Sequence, residues 1–482
     1  MVAISNSSGL FKGNDLGSGL IEFLGIQFAT AKRFEEPVDV IRYAHDVEAK
    51  VFGPQSPQVP GFMEEILDTK SLPIDENCLY LNIWTKTDFI SDLAKNSEPN
   101  LKPVLFWIHG GAYTNGTAAT SWYNGSSLVT RGDVVVVSIN YRLGPFGFLG
   151  DNNLGTLDQI SALRWVKRNI ESFGGDPNNV TIFGESAGGS SVVALTASPL
   201  VAGLVTRAWA MSPSLRQLRT KNEAAIALEQ YLKFANCDSL SDLRELSVQQ
   251  MIDATAKMFV DVENYISTFT PTCGGAGLPE DIYVASANSG IPLVVGTNHD
   301  ENRLWTVLHP DSASLDIEGA LVYYRKAFAD NTEMAWDLYT KLRGNHSPSE
   351  MVAALQTDQN FRSPAWKLCE KRSAINTPTW MYWFTWPTPI FNGAFGSCHA
   401  LDIPFVFHNL NAPRVEVFTG DDSSREPIAD RISGELLSYA NTGVVSWPQF
   451  EDKNRATLKV DVETVLISDP EPELRILWST MA

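Results

Sequence analysis

The sequence predicts an α/β fold: a large, mostly parallel central sheet flanked by helices, with helical insertions over one end. Three observations predict it. Apolar runs short enough to be strands alternate with amphipathic stretches of helical period. Two of those runs, VLFWIHGG (104–111) and VVVVSINY (134–141), are apolar on both faces, as strands between two helix layers are. A third, VTIFGES, leads straight into a glycine-flanked serine and then a helical run.

In chain order, VLFWIHGG enters a glycine turn and VVVVSINY follows as a second buried strand. Asp158 then opens a helix. Its apolar residues Ile160, Leu163, Val166, Ile170 and Phe173 are spaced by three or four, and Gly174 and Gly175 stop it. The third strand starts near Val180, and a fourth, PLVVGTN, runs from Pro292. WMYWFTW (380–386) is rich in strand-favouring aromatics. Ile428 to Ala440 reads as an amphipathic helix closed by Asn441 and Gly443. Segments 214–290 and 305–378 are helical in composition and read as insertions where a substrate pocket forms. No linker rich in Pro, Gly or Ser divides the chain, so residues 1–482 read as one domain.

The composition, 44% hydrophobic and 19% charged over 482 residues, allows a large buried core. The net charge of −19 repels nucleic acid phosphates and anionic lipid heads, so neither is an expected partner. There is no run of 18 apolar residues and no basic n-region followed by an apolar h-region. Neither a membrane span nor a signal peptide is expected. The five cysteines (Cys78, Cys237, Cys273, Cys369 and Cys398) are odd in number, widely spread and never in a CxxC pair. That argues against a disulfide framework and a structural zinc site, and no metal or cofactor is expected.

The strongest local signal is Gly184-Glu185-Ser186-Ala187-Gly188, between a strand pattern and a helix pattern. G-x-S-x-G makes a sharp strand-to-helix turn that lifts the serine hydroxyl above the sheet, over a helix N-terminus. The bland alternative is chance in a chain with 34 glycines, and the strand before and helix after argue against it. A serine hydroxyl needs a base to become a nucleophile, and the attacked carbonyl needs preorganised donors for its oxyanion. The loop His109-Gly110-Gly111-Ala112-Tyr113 follows a predicted strand. The backbone N–H groups of Gly111 and Ala112, joined by that of Ala187, are the candidate donors.

These motifs resemble the type-B carboxylesterase/lipase family, the group of cholinesterases and fungal lipases, over nearly the whole chain. Its patterns stand in family order: FLGIQFATAKRF (23–34), ENCLYLNIW (76–84), HGGAYTNG, Asn140 to Gly144, and the long run 157–191. Trp447-Pro448 suits the C-terminal pattern. The resemblance implies the α/β-hydrolase fold and a triad in chain order Ser, acid, His. Its acid pattern is GTNHDEN here, which gives Glu301, with Asn302 in place of the family's glycine. Asp300 is the rival, and adjacent residues cannot both face one imidazole. The histidine pattern is HALDIPFVF, which gives His399, with Ala400 in place of glycine. Of the seven histidines, His109 falls in the oxyanion loop and His299 abuts the acid; His45, His309, His346 and His408 match no motif. The glycine-rich GAFGSC before His399 suits a mobile base at the rim of the site.

The resemblance further implies ion pairs of Arg33 with Glu76 and Arg142 with Asp158. Glu185 and Ser212 are expected to support the triad from behind, although Pro213 replaces the family's glycine after Ser212. Met211, Trp122, Trp305 and Phe395 are candidates for lining the pocket; each is equally readable as plain core. The family's C-P-Q cysteine is Ser56 here, so Cys78 loses its partner, and Cys237 has no obvious mate. Both fit a reducing, cytoplasmic location. The short segment between Ser56 and Cys78, where the lipases carry a lid, points to soluble esters of small to medium size. The expected activity is ester hydrolysis through an acyl-enzyme. The same triad also serves acyl transfer, lactone opening or amide cleavage. A non-catalytic binding role is disfavoured, since Ser186, Glu301 and His399 are all present.

Overall fold

The computed structural model describes residues 2–61, 72–88, 100–261, 267–309, 311, 314–344 and 346–481. Strands β1 (Val2–Asn6), β2 (Gly9–Gly17) and β3 (Leu20–Gln27) form an antiparallel meander that leads to β4 (Tyr80–Lys86). There follow β5 (Lys102–Ile108), β6 (Val135–Ile139), β7 (Gly175–Glu185), β8 (Arg207–Met211), β9 (Leu293–Asn298), β10 (Thr379–Phe384), β11 (Ala456–Val460) and β12 (Val465–Ser468). The spatial order is β1-β2-β3-β4-β6-β5-β7-β8-β9-β10-β11-β12. From β6 to β11 every neighbouring pair is parallel, and β12 turns back antiparallel. This is the mostly parallel sheet that the apolar runs predict.

Side-chain alternation divides the strands between two apolar layers. Val104, Phe106 and Ile108 join one layer with Ile160, Leu163 and Val192. Leu105 and Trp107 join the other with Ile428, Ile432 and Leu436. Each such side chain contributes roughly 1.5–3 kcal/mol by burial. Three helices carry these residues: α1 (Leu154–Asn169), α2 (Ala187–Ala197) and, much later in the chain, the helix Arg425–Thr442.

Helix α1 begins at Leu154, not at Asp158 as its apolar spacing suggests. The Asn153 side chain ties the helix start to residue 272, accepting from Thr272 N at 2.7 Å and donating to Thr272 O at 2.9 Å. Asp158 lies inside the helix. It points inward and takes two hydrogen bonds from the Arg142 guanidinium, at 2.8 and 2.7 Å. The second expected pair is also formed, Arg33 Nε donating to Glu76 Oε2 at 2.9 Å. Strand β7 begins at Gly175, ahead of Val180, with a register shift between the two against β5. Strand β10 stops at Phe384, so Thr385 and Trp386 lie beyond it.

The two insertions are helical, as composition predicts. The first holds α3 (Lys221–Ala235) and α4 (Val248–Asp261). The second holds α5 (Ile317–Phe328), α6 (Thr332–Arg343), α7 (Pro348–Thr357) and α8 (Ser363–Ser373), with a π-helical turn at Asp358–Arg362 between the last two. No described helix is long and apolar enough to cross a membrane. Residues 62–71 of the segment read as a short lid lie outside the described residues. Strands β5, β7, β8, β9 and β10 all end at one edge of the sheet, with Ile108 opposite Gly184, Glu185 opposite Met211, and Asn298 opposite Phe384. In open parallel sheets that carboxyl edge is where ligands bind.

Candidate active site

Strand β7 ends at Glu185 and α2 starts at Ala187, so Ser186 is the whole of the turn between them. Its backbone has φ 59° and ψ −120°, a conformation that costs a non-glycine residue about 1–3 kcal/mol. The surrounding bonds hold it there. Ser186 N donates to Met211 O at 3.0 Å, and Ser186 O accepts from Ser190 N at 2.8 Å and Ser190 Oγ at 3.1 Å.

The loop after β5 passes directly over this turn: a Cβ at Gly110 would lie 3.1 Å from that of Ser186. Gly111 O accepts from Thr114 N and Asn115 N, at 2.9 and 3.0 Å, which folds the loop back on itself. Gly111 has φ 105°, and a Cβ there would sit 2.1 Å from Asn115 O. Only glycine fits. Among the described residues, the N–H groups of Gly111, Ala112 and Ala187 donate to no protein acceptor. Gly111, Ala112 and Ser186 are also partly open to solvent. His109 is a strut beneath the loop. It stacks on Tyr141 at 4.6 Å, and burial pushes its pKa down to about 4.

Glu301 is fully buried just past the end of β9. Asn298 N donates to its Oε1 at 2.7 Å, and His399 Nδ1 donates to its Oε2 at 2.6 Å. His399 N also donates to Glu301 O, at 3.2 Å. His399 is therefore not the rim residue that the glycine-rich approach suggests. It is 4% exposed, because Phe361 and Trp305 pack against its ring at 4.8 and 4.9 Å. The other ring nitrogen, Nε2, lies 3.1 Å from Oε1 of Glu185, the residue that adjoins the nucleophilic turn. Among the described residues no hydrogen bond joins Nε2 to Ser186 Oγ.

The charges here are buried and close. Burial pushes Glu185 up to about 8. Burial works against the His399 cation, but the carboxylates of Glu185 and Glu301 outweigh it and raise its pKa to about 9. Asp402 is buried beside them and pushed up to about 7, by burial first and the charge of Glu301 second. Among the described residues no group of three or more His, Cys, Asp or Glu is arranged to hold a metal ion.

Residues 1–474 match the carboxylesterase family. The chain belongs to that family. The para-nitrobenzyl esterase of Bacillus subtilis is 34% identical over 95% of this chain and 94% of its own length. The phenmedipham hydrolase of Pseudarthrobacter oxydans is 29% identical over 94% and 93%. The crystal structure of a Geobacillus stearothermophilus carboxylesterase superposes with a TM-score of 0.85 at 31% identity, covering 99% of each chain. The fold is thus that of the α/β-hydrolases, and the chain is a serine ester hydrolase.

Within this carboxylesterase-family structure the remaining candidates separate. Trp305 is 41% exposed and in ring contact with His399. Phe395 is buried against Phe391, with ring centres 5.3 Å apart. Met211 is a fully buried strand residue, and Trp122 is fully buried against Phe418 at 5.4 Å. The Ser212 hydroxyl is buried without a hydrogen-bond partner among the described residues, so no bond from it reaches Glu301. Two neighbours of the site are absent from the sequence reading. Phe361 sits on the π-helical turn, and no local pattern announces its contact with His399. Asp402 accepts from Tyr382 Oη at 2.9 Å. An acidic residue three positions after the histidine, inside an apolar run, was its only available signal.

Proposed function

We propose that Ser186, His399 and Glu301 act as a catalytic triad that hydrolyses soluble carboxylic esters of small to medium size through an acyl-enzyme. The observation that carries this reading is the 2.6 Å bond from His399 Nδ1 to Glu301, with the opposite ring nitrogen turned to the residue adjoining Ser186. That bond fixes the proton on Nδ1 and leaves Nε2 as the basic atom. Hydrogen bonds to the nucleophile in a resting enzyme commonly tighten only when substrate is bound.

In the proposed cycle, Ser186 Oγ attacks the ester carbonyl carbon while its proton passes to His399 Nε2. Glu301 holds the resulting imidazolium. The carbonyl oxygen becomes an oxyanion that accepts from the N–H groups of Gly111, Ala112 and Ala187. The intermediate collapses, the alcohol leaves with the Nε2 proton, and the acyl group stays on Oγ. Water then attacks the acyl carbon, gives a proton to Nε2, and the carboxylic acid is released as Oγ recovers its proton. The five free thiols, three of them fully buried, support a cytoplasmic location.

The test is labelling with a fluorophosphonate, followed by peptide mapping. The expected adduct is on Ser186 alone, and an unlabelled Ser186 overturns the reading. An ester panel then follows, starting with para-nitrobenzyl esters because a relative is named for them. Products that contain no added water would favour acyl transfer over hydrolysis.

A further inference from the structure

The loop that carries His399 is held by the residue next to the triad acid. Asp300 N donates to Ser397 O at 2.9 Å, and Ser397 N donates back to Asp300 Oδ2 at 3.0 Å. One residue thus binds both backbone groups of Ser397, two positions before His399. The fit is close on the other side as well. Gly396 has φ 55°, and a Cβ there would lie 2.4 Å from Asp300 Oδ2. Only a glycine lets the carboxylate reach the Ser397 N–H.

The carboxylate is itself fixed. Asp300 Oδ2 lies 3.0 Å from His299 Nδ1, and Arg303 Nε lies 3.3 Å from Oδ1. Arg343 Nη1 is 2.6 Å from His299 Nε2. A guanidinium can only donate, so Nε2 accepts and the His299 proton sits on Nδ1, facing Asp300. Arg343 is buried and also paired with Asp358 at 3.3 Å and Glu471 at 3.0 Å. A chain of donors and acceptors therefore runs from the second helical insertion through His299 and Asp300 to Ser397. It lies alongside the bond between Glu301 and His399 and shares none of its atoms.

We propose that Asp300 is a positioning residue: through the backbone of Ser397 it holds the loop that aims the His399 imidazole at Ser186. This rests on the triad reading above. Glu301 holds Nδ1 through its carboxylate and the His399 N–H through its carbonyl, but both bonds come from one residue and leave the loop before His399 free to move. The Asp300 clamp, with Asn298 Nδ2 donating to Cys398 O at 2.7 Å, removes that freedom. Displacement of a catalytic group by about 1 Å commonly lowers rate by about 100-fold.

The experiment compares Asp300→Ala, Asp300→Asn and Gly396→Ala with the parent, reading kcat, KM, the rate of fluorophosphonate labelling, the thermal midpoint and the low-field proton resonance of His399 Nδ1–H. Asp300→Ala is expected to lower kcat and labelling rate together by about 100-fold, with KM little changed and the low-field resonance broadened or lost. Asp300→Asn keeps an oxygen for the Ser397 N–H and is expected to recover most of that loss. Gly396→Ala leaves Asp300 in place but displaces its carboxylate, and should reproduce the Asp300→Ala loss even if Asp300→Ala folds poorly. The parent's kcat and resonance in both alanine variants overturn the proposal. So does a loss in Asp300→Ala and Asp300→Asn alike that merely follows their thermal midpoints. If the parent itself is not labelled, the triad reading falls, and this one with it. If the parent is labelled and the alanine variants match it, only the positioning role falls.

Discussion

Glu185 Oε1 lies 3.1 Å from His399 Nε2, the ring nitrogen that takes the serine proton in the proposed cycle. A carboxylate at that point favours the imidazolium. The imidazole is a base only when neutral, and its pKa is raised to about 9, well above an ordinary histidine. Glu185 itself holds a proton up to about 8, so kcat/KM should climb with pH as the pair loses its proton, to a half-maximal value near 9. Glu185→Gln removes the anion and lowers the histidine pKa, so its rising limb should move to lower pH. Profiles of kcat/KM for the two enzymes check this; an unmoved limb would mean that Glu185 does not act on His399.

Ser186 separates activity from strain. Ser186→Ala should lose about 10⁶ of kcat, as removal of such nucleophiles does. The alanine keeps a Cβ at φ 59°, so the turn stays strained. Ser186→Gly should be equally inactive but more stable than Ser186→Ala by about 1 kcal/mol, since glycine adopts this backbone without penalty. Thermal or denaturant unfolding of the two inactive variants measures the difference. Equal stability would show that the turn stores no strain.

Much of this was readable in the chain because it is local. The serine turn, the glycine loop and the buried runs are contiguous, and contiguous residues fix backbone geometry. What the sequence did not show depends on contacts between distant segments. Phe361 reaches His399 only because the second insertion folds back over the sheet edge. His399 reads as a mobile rim residue from its glycine-rich approach, yet Trp305 and Phe361 close over it. The helix that holds Asp158 starts at Leu154, earlier than its apolar spacing suggests, because the Asn153 side chain ties that end to Thr272 in a distant segment. Asp300 reads in the sequence only as a rival acid, and its bond to Ser397 joins residues 97 positions apart.

Asp402 makes stability depend on pH in a way that can be isolated. Its folded pKa is raised to about 7, by burial first. A raised acid binds its proton more tightly in the folded state. Its contribution is therefore complete below the ordinary aspartate pKa, near 4, and is lost as pH rises through about 7. Asp402→Asn cannot ionise and can still accept from Tyr382. It should unfold at a higher temperature than the parent at pH 8, with the gap closing or reversing near pH 5. Melting curves across that range decide it, and a gap that does not vary with pH would assign the effect to packing alone.

Gly111→Ala tests the proposed oxyanion donors without touching the proposed triad. The new Cβ would meet Asn115 O at 2.1 Å, so the loop must shift, carrying the N–H groups of residues 111 and 112 with it. Loss of one such donor typically lowers kcat by about 10²–10³, and two leave together here, so at least that loss is expected. In the proposed role these N–H groups act on charge that appears only in the transition state, so KM should change little. The shift also strains the fold, and rates should be read well below the variant's own thermal midpoint. Reaction with a fluorophosphonate should slow as well, because the phosphoryl oxygen needs the same donors. A Gly111→Ala enzyme with the parent's kcat, in a fold shown intact by its melting curve, would place the oxyanion elsewhere.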